Sequence, residues 1–439
     1  MLKKRLLKAI SLLMVLPWLF TACADNSVST GKPTLAPEPT QTAEPSPTAA
    51  TPEATPEQTP DPANTTPDPS KGGDEVDPGD NTAKERVKVK AVYVSGPVVS
   101  ARFDPILEMV EKTELNALVI DIKENGVVNY ESQVPLVKEL GLYVKYYNAE
   151  ELIKRCHEKG IYVIGRIVTF REGMANNKPN GLAAKNTELA IRTPSGGIWQ
   201  EDSYGPWLNP YKKEAQDYNI DIAKEAISLG FDEIQFDYVR FPTAKADKVN
   251  YGENMPEKTD TITEFLKRAA EEIKSVNADA AVSADVFGII AESEKDGNAI
   301  GQQLERLGLY IDYLSPMIYP SHYANNSKGT MGNGVGQKLN GVHFTHPDLE
   351  PYNVVYQALL KVKSRTEAVE GYKAIIRPYL QDFTAKYLPS GYFQTYGEEQ
   401  VKAQIKAVYD AGYEEWILWN PSNRYTEDAL ELNSDTTAD

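Results

Sequence analysis

Short apolar runs rich in β-branched residues alternate with amphipathic stretches from about residue 87 to residue 425. A short apolar run between polar turn residues is typical of a buried strand, and an amphipathic run that stops at a glycine is typical of a helix. The predicted strands are Val87–Ser95, Ala117–Lys123, Tyr162–Phe170, Glu233–Phe241, Ala281–Phe287, Ile311–Tyr319, Ala374–Asp382 and Glu415–Asn420. The predicted helices between them are Pro105–Lys112, Ala149–Glu158, Tyr211–Leu229, Thr261–Val276, Ala299–Leu307, Asn353–Val369 and Glu398–Asp410. Eight strands that alternate with helices predict an α/β protein with a (β/α)8 TIM barrel.

An open, doubly wound sheet is the alternative arrangement of alternating strands and helices. That fold is expected to carry a glycine-rich phosphate-binding turn after its first strand, and Val94–Val98 does not match this pattern. We therefore expect one barrel domain over residues 87–425, followed by a C-terminal tail over residues 426–439.

The barrel prediction directs attention to the strand ends, because the active sites of barrel enzymes lie at the carboxyl ends of the strands. The most informative segment is Gly230–Pro242, in which Asp237 lies near the end of the fourth predicted strand, and Asp285 lies near the end of the fifth. Neighbouring strands should place the two carboxylates about 5–9 Å apart, a range that includes both retaining and inverting glycoside hydrolysis. This spacing would let one of the two acids stay protonated while the other is ionised.

Charged and polar neighbours are expected to tune these acids. Arg166, on the third predicted strand, is expected to keep Asp237 ionised, because a nearby opposite charge lowers the pKa of an acid. Arg240 is the alternative partner for this carboxylate, and Tyr238 is expected to help position it.

Two further acids leave the partner of Asp237 open. Asp121 shares one face of the second predicted strand with Lys123, so we expect the two to neutralise each other and to bind substrate. Asp382 ends the seventh predicted strand. Asp285, Asp121 and Asp382 are therefore all candidates for the partner acid.

Aromatic residues with a polar edge are common near the strand ends. The chain has 25 Tyr against 11 Phe, and amphipathic rings of this kind suit the apolar faces and polar rims of sugars. The predicted substrate-binding residues are Asp121, Lys123, Arg166, Tyr238, Arg240, Tyr319, Gln381, Asp382, Trp419 and Asn420.

Other chemistries find little support. The four histidines include His343 and His346, whose spacing suits a metal only on a helix, and Pro347 directly after them disfavours a helix. The chain has no Gly-x-Ser-x-Gly nucleophile elbow and no phosphate-binding loop. We therefore expect neither a metal nor another cofactor.

The first residues have the pattern of a secretion signal. A basic start precedes the apolar run Ala9–Phe20, whose 12 residues are too few for a membrane-spanning helix. The run leads into Phe20–Cys23, which resembles a bacterial lipoprotein cleavage site. We expect residues 1–22 to be removed and Cys23 to be lipidated, which anchors the protein to the outer face of the bacterial membrane.

Residues 23–86 are rich in Pro, Thr and Glu and are predicted to be a disordered linker. Residues 24–85 contain 12 acidic and 3 basic residues, a net charge of −9, against −17 for the whole chain. Since no basic stripe occurs, nucleic acid is not an expected partner. A tethered single barrel is expected to be a monomer.

Four segments carry a resemblance to a family of bacterial lipoproteins with a barrel-type glycosyl hydrolase domain: 162–170, 230–242, 315–320 and 416–421. The resemblance implies a TIM barrel that acts on glycosidic bonds. The chain is also distantly similar to alpha-amylase-type barrels, which implies that Asp237 is the nucleophile and Asp285 the proton donor. Those enzymes have a Glu on the fifth strand where this chain has Asp285. The shorter side chain changes the distance between the two carboxylates, and this distance decides between a retaining and an inverting outcome.

These observations predict a surface-anchored glycoside hydrolase that cleaves a polysaccharide with two carboxylates. The alternative is a catalytically inactive barrel lipoprotein that binds glycan. The sugar, its linkage and the stereochemical outcome are left open.

Overall fold

The computed structural model describes residues 86–326 and 336–433. The predicted signal peptide, the lipidated Cys23 and the linker up to residue 85 lie outside the described residues, as does the tail after residue 433.

Eight parallel strands form a closed barrel, which confirms the predicted fold. Each strand pairs with the next in chain order, and the last pairs with the first through Lys90 opposite Trp416. The strands are β1 (Lys90–Val94), β2 (Ala117–Glu124), β3 (Tyr162–Val168), β4 (Glu233–Asp237), β5 (Ala281–Phe287), β6 (Tyr313–Ile318), β7 (Tyr379–Gln381) and β8 (Trp416–Trp419).

The seventh strand is interrupted. A two-residue strand, Ile375–Ile376, pairs with the start of β6, and β7 itself pairs with the end of β6. Pro378 lies between the two pieces and has no N–H to donate to a strand ladder. The predicted run 374–382 therefore forms two short strands.

Helices connect the strands. They are α1 (Gly96–Lys112), α2 (Pro135–Leu140), α3 (Ala149–His157), α4 (Leu182–Lys185), α5 (Lys213–Leu229), α6 (Lys258–Val276), α7 (Glu294–Ile300), α8 (Leu304–Leu307), α9 (Pro351–Thr366) and α10 (Glu398–Asp410). Single 3-10 turns occur at Thr187–Leu189, Asp202–Tyr204, Gly288–Ala291, Pro320–Tyr323, Pro347–Leu349 and Glu427–Ala429. Short strands outside the barrel are Val127–Val128, Gly173–Ala175, Lys178–Asn180, Gln200–Glu201, Gly205–Pro206, Gln337–Leu339 and Val342–Phe344.

Two helix predictions differ from the structure. The predicted helix 299–307 is divided into α7 and α8, because Gly301 has a φ of +86° and ends α7 with a left-handed turn. The first helix begins at Gly96 rather than Pro105, with a kink at Arg102 just before the proline. Proline restricts the residues before it and lacks the N–H of a helical turn, which explains the kink.

The amino end of the barrel interior is filled by a buried ion network. Arg377 donates to Glu233, lies 3.8 Å from Glu415 and stacks over the Tyr313 ring at 4.2 Å. Arg377 and Glu233 are fully buried. Side chains therefore fill this end, and the carboxyl ends of the strands are left to form a site.

The described part of the predicted C-terminal tail packs on the barrel. Leu430 is buried, and the Glu114 N–H donates to the Glu431 carbonyl at 2.7 Å. In the described ranges, no helix has the length and apolar character needed to span a membrane.

Candidate active site

Arg166 is the centre of the polar cluster at the carboxyl ends of the strands. It lies on β3 between β2 and β4 and donates to Asp237 Oδ2 from Nε at 3.1 Å and from Nη2 at 2.6 Å. Its Nη1 donates to Asp121 Oδ1 at 2.6 Å and to Glu124 Oε2 at 3.0 Å. The expected contact between Arg166 and Asp237 is confirmed, and two further carboxylates share the same guanidinium.

Asp237 is the last residue of β4, and both of its oxygens are held. Oδ2 accepts from Arg166, and Oδ1 accepts from the Tyr238 N–H at 2.6 Å. Tyr238 has a φ of +48°, a left-handed conformation that turns the chain out of the strand. The predicted strand to Phe241 therefore ends at Asp237, and the turn aims a backbone N–H at the carboxylate. Backbone strain of this kind is typical of functional sites.

Asp285 lies next to Asp237 on the neighbouring strand. Ser283 pairs with Gln235 and Ala284 with Phe236, so the register brings the two aspartates side by side. Asp285 is 1% exposed, and its Oδ1 has no hydrogen-bond partner among the described residues. Burial, followed by the charge of Asp237, raises the pKa of Asp285 well above its usual range.

The two neighbouring aspartates therefore have opposite environments. Asp237 accepts two hydrogen bonds from a cation and one from a backbone N–H. Asp285 is buried without such a partner, which favours the protonated form. A neutral acid beside an ionised carboxylate is the arrangement that acid–base catalysis requires.

Asp121 contacts Arg166 but not Lys123. Tyr93 donates from its hydroxyl to Asp121 Oδ2 at 2.5 Å, and Arg166 holds Oδ1. Burial raises the pKa of Asp121 to about 7, against the opposing effect of the Arg166 charge.

The expected neutralisation of Asp121 by Lys123 is wrong. The register of β2 shifts between these residues, a bulge that breaks the alternation on which the prediction was based. Lys123 Nζ instead donates to Glu172 Oε1 at 2.8 Å and to Asn219 Oδ1 at 3.2 Å, and Lys123 is fully buried. The structure does not bring Lys123 to the Arg166 cluster.

Arg240 is not the partner of Asp237, so the alternative pairing is also wrong. Its guanidinium lies against the rings of Phe287, Trp207 and Tyr238, with centroid distances of 4.5, 4.9 and 5.1 Å. The Tyr238 ring also lies 3.7 Å from the Arg171 guanidinium.

Tyr319 and Trp419 meet at the site in an aromatic cluster. The Trp419 ring lies 5.6 Å from Tyr319, 5.3 Å from Phe383 and 6.4 Å from Tyr93, the residue that donates to Asp121. Trp419 and Phe383 are partly exposed. Partly exposed rings beside acids suit the apolar face of a sugar.

His322 joins this cluster in neutral form. Its ring lies 4.9 Å from Tyr319 and 6.5 Å from Phe383. Burial lowers the pKa of His322 to about 4. The residue therefore adds a polar but uncharged edge to the aromatic surface at neutral pH.

Gln381, Asp382 and Asn420 hold loops together. Gln381 accepts from Ser321 and donates to Asp348 at 2.9 Å. Asp382 accepts from Thr426 N at 2.8 Å and from its hydroxyl at 2.7 Å. Asn420 Nδ2 donates to the carbonyls of Asp382 and Arg424. The substrate contacts predicted for these three residues stay predictions, and no contact joins Asp382 to Asp237.

Tyr93, Glu124 and Phe383 were missed by sequence reasoning. Tyr93 could have been found, because alternation along β1 places it on the same face as the buried Ala91. Glu124 follows the β2 bulge and Phe383 lies in a loop, so no periodic pattern pointed to either. Across residues 86–326 and 336–433, no group of three or more His, Cys, Asp or Glu side chains could hold a metal ion.

A parallel eight-stranded barrel with neighbouring acids at the ends of β4 and β5 is the architecture of barrel-type glycoside hydrolases. The chain belongs to the DUF4015 family, whose description is "Putative glycosyl hydrolase domain", and matches it over residues 91–425.

Solved structures also resemble the chain. A hypothetical protein from Ruminiclostridium thermocellum ATCC 27405 is 38% identical over 44% of this chain and 97% of its own, with a TM-score of 0.40. The PgaB (BpsB) glycoside hydrolase domain from Bordetella bronchiseptica is 12% identical over 79% of this chain and 99% of its own, with a TM-score of 0.51. At that identity the likeness shows the fold alone. No curated protein sequence matches significantly.

Proposed function

We propose that this protein is a glycoside hydrolase that cleaves a polysaccharide through Asp237 and Asp285. The observation that carries the proposal is the opposite environment of two acids on adjacent strands, one held by Arg166 and one buried without a cation. Membership of a glycosyl hydrolase domain family supports the same class of reaction.

Asp285 is the proton donor in this mechanism. Its raised pKa favours the protonated carboxyl, so it can protonate the glycosidic oxygen as the bond to the leaving sugar breaks. Its unpaired Oδ1 is free of protein hydrogen bonds within the described residues and can turn to substrate.

Asp237 is the ionised partner. Its carboxylate either attacks the anomeric carbon or takes a proton from an attacking water, and the distance to Asp285 with substrate bound decides between these routes. Arg166 and the Tyr238 N–H both donate to this carboxylate and fix its orientation.

Asp121 and Tyr93 orient the Arg166 guanidinium. Asp121 binds the Arg166 nitrogen that faces away from Asp237, and Tyr93 holds Asp121 in turn. The aromatic cluster around Trp419 and Tyr319 binds a sugar ring beside the acids.

A barrel that binds glycan without cleaving it is the second candidate. It is favoured by the burial of both acids, since Asp237 is 5% exposed and Asp285 1% exposed. A hydrolase needs both groups to reach the glycosidic bond, whereas a binding protein needs only the aromatic surface.

Replacing each acid by its amide separates the two candidates. Asp285→Asn and Asp237→Asn should each lower kcat on a cleaved polysaccharide by about 10²–10⁴-fold, because an amide can neither donate the proton nor act as the base. The assay follows new reducing ends, and thermal unfolding checks that the variants fold.

Asp260→Asn is the matched control, since this aspartate lies on the surface in an ion pair with Arg306. Wild-type rates in both site variants would contradict the assigned roles. A wild-type protein that binds glycans without releasing reducing ends from any of them would favour the binding barrel.

A further inference from the structure

Arg240 is a buried cation without a carboxylate partner beside the proposed active site. It is 2% exposed, and its Nη1 donates to the Phe241 carbonyl at 2.9 Å. Among the described residues, this is its single hydrogen bond, and no carboxylate forms an ion pair with it. A guanidinium has five N–H donors, so most of the donors of Arg240 have no protein acceptor.

Three aromatic rings surround the Arg240 guanidinium, those of Phe287, Trp207 and Tyr238. Cation–π contacts offset part of the cost of burying the charge but leave the N–H groups without acceptors. The charge of Glu201 acts on Arg240, but among the described residues no hydrogen bond or ion pair joins the two, and Glu201 Oε2 accepts from Trp207 Nε1 at 2.9 Å. Burial lowers the pKa of Arg240, against the opposing effect of the Glu201 charge.

The position of Arg240 connects it to the acids. Tyr238 is common to both, because its N–H holds Asp237 and its ring lies 5.1 Å from the Arg240 guanidinium. Phe287, two residues after Asp285, is another of the rings around Arg240. A group bound by Arg240 would therefore lie close to a sugar whose glycosidic bond lies between the two aspartates.

Several cations lie near this position, although the whole chain carries −17. Three guanidinium groups lie on the β3–β4 side of the site, those of Arg166, Arg171 and Arg240. The acids near them are Asp237, Glu124 and Asp121, which Arg166 binds, and Glu201, which accepts from Trp207. Arg171 lies 3.9 Å from Glu124, which leaves Arg240 as the one of these three cations that forms no ion pair among the described residues.

We infer that Arg240 forms a subsite for an oxyanion on the substrate, so that the polysaccharide cleaved at Asp237 and Asp285 is an anionic one. The ligand group is a carboxylate of a uronic acid, or a phosphate or sulfate ester on a sugar. A planar guanidinium binds each of these through paired N–H donors. This inference rests on the proposed function, because it names the substrate class of the same site.

Four sugars with one common ring test the subsite: glucose, glucuronate, glucose 6-phosphate and glucose 6-sulfate. Each is titrated into the full protein by calorimetry at constant ionic strength. At least one charged sugar should bind wild-type protein about tenfold more tightly than glucose, the effect of a pair of charge-assisted hydrogen bonds. The preferred charged sugar identifies the oxyanion.

Variants at Arg240 assign the preference to this side chain. Arg240→Gln should abolish the preference for the charged sugar. Arg240→Lys, which keeps the charge but loses the planar pair of donors, should retain only part of it. Arg306→Gln is the matched control, because Arg306 forms a partly exposed ion pair with Asp260 and lies against none of the rings around Arg240, and it should keep the full preference. Thermal unfolding checks that each variant folds.

The inference is overturned if wild-type protein binds no charged sugar more tightly than glucose, or if the Gln and Lys variants keep the full preference. These titrations do not depend on turnover. A preference that needs Arg240 in a protein that cleaves nothing would refute the hydrolase and keep the subsite. Cleavage of glycans without any such preference would refute the subsite and keep the hydrolase.

Discussion

At the scale of single residues, the feature that distinguishes the acids of this site is how they share Arg166. Asp237 receives two of its donors, Asp121 one, and Asp285 none. Since the free energy of burying a carboxylate depends on the hydrogen bonds it receives, this unequal sharing gives the three nearby acids different environments.

The raised pKa of Asp121 can be measured as a pH dependence of stability. Its pKa is about 7 in the folded protein and about 3.9 in an unfolded chain. A raised pKa means that the folded state holds the proton to higher pH, so this contribution to stability is present at low pH. It is lost as the pH rises from about 4 to about 7.

Asp121→Asn should flatten that dependence. The amide cannot titrate but keeps an oxygen that can accept from Arg166. From pH 5 to pH 7, the free energy of unfolding of wild-type protein should fall relative to the variant by up to about 1.4 kcal/mol per pH unit. Urea unfolding at each pH measures the difference, and Asp260→Asn is the exposed control. Parallel curves for wild type and Asp121→Asn would refute the assignment.

At the scale of elements, β7 is the strand that organises the loops around the aromatic cluster. Tyr379 points into the barrel and donates to Gln235 at 2.5 Å, whereas Gln381 reaches the loops that follow β6 and β7. Those loops carry His322 and Phe383. The end of a strand only three residues long therefore sets the position of two rings of the proposed sugar platform.

Gln381→Ala tests this role. It removes the hydrogen bonds to Ser321. It also removes the hydrogen bond that the Gln381 side chain donates to the fully buried Asp348. We expect the free energy of unfolding to fall by about 2–4 kcal/mol, because buried polar groups lose their partners. Urea unfolding measures the loss, and Gln133→Ala on the surface should change it by less than about 0.5 kcal/mol.

The same variant also bears on the substrate contact predicted for Gln381. An unchanged urea midpoint together with a raised KM would mean that Gln381 binds substrate and does not act through the loops. A lowered midpoint with little change in KM would support the structural role.

At the scale of the whole molecule, the N-terminal segment is expected to hold the barrel, which is the proposed hydrolase, at the cell surface. This location remains a proposal from the sequence, based on the apolar run before Cys23 and the acidic, proline-rich linker. The linker carries about half of the net charge, which would keep the barrel away from an anionic membrane.

Cys23→Ser tests the anchor. In a bacterial host, wild-type protein should appear in the membrane fraction and be released by detergent. The variant should appear in the soluble fraction, because a serine cannot carry the lipid. Cys156→Ser is the matched control, since Cys156 is buried in α3 and should not affect the location. Membrane retention of Cys23→Ser equal to wild type would contradict the lipid anchor.

Much of the fold could be predicted because strands and helices have different hydrophobic periods. Helix α10 has the bounds predicted for it, Glu398–Asp410, and β5 has the bounds Ala281–Phe287. Errors occur where a local exception breaks the period. Tyr238 leaves the strand with a positive φ, and the bulge after Asp121 turns Lys123 to the other side of the sheet.

The site residues on strands could be predicted, whereas those whose contacts come from loops could not. Asp237 and Asp285 could be placed side by side, because alternation and strand order depend only on neighbouring residues in the chain. The roles of Gln381 and Arg240 could not be predicted, because their contacts come from loops whose paths have no periodic pattern.

The order of hydrophobic and polar positions was sufficient to establish the barrel, the order of its strands and the pair of aspartates at its mouth. The tertiary structure alone decided which carboxylate receives Arg166, which one stays without a cation, and which arginine lacks an acid. The physical reason is that burial and ion pairing depend on distances between segments far apart in the chain, and a bulge or a loop changes those distances without changing the periodic pattern.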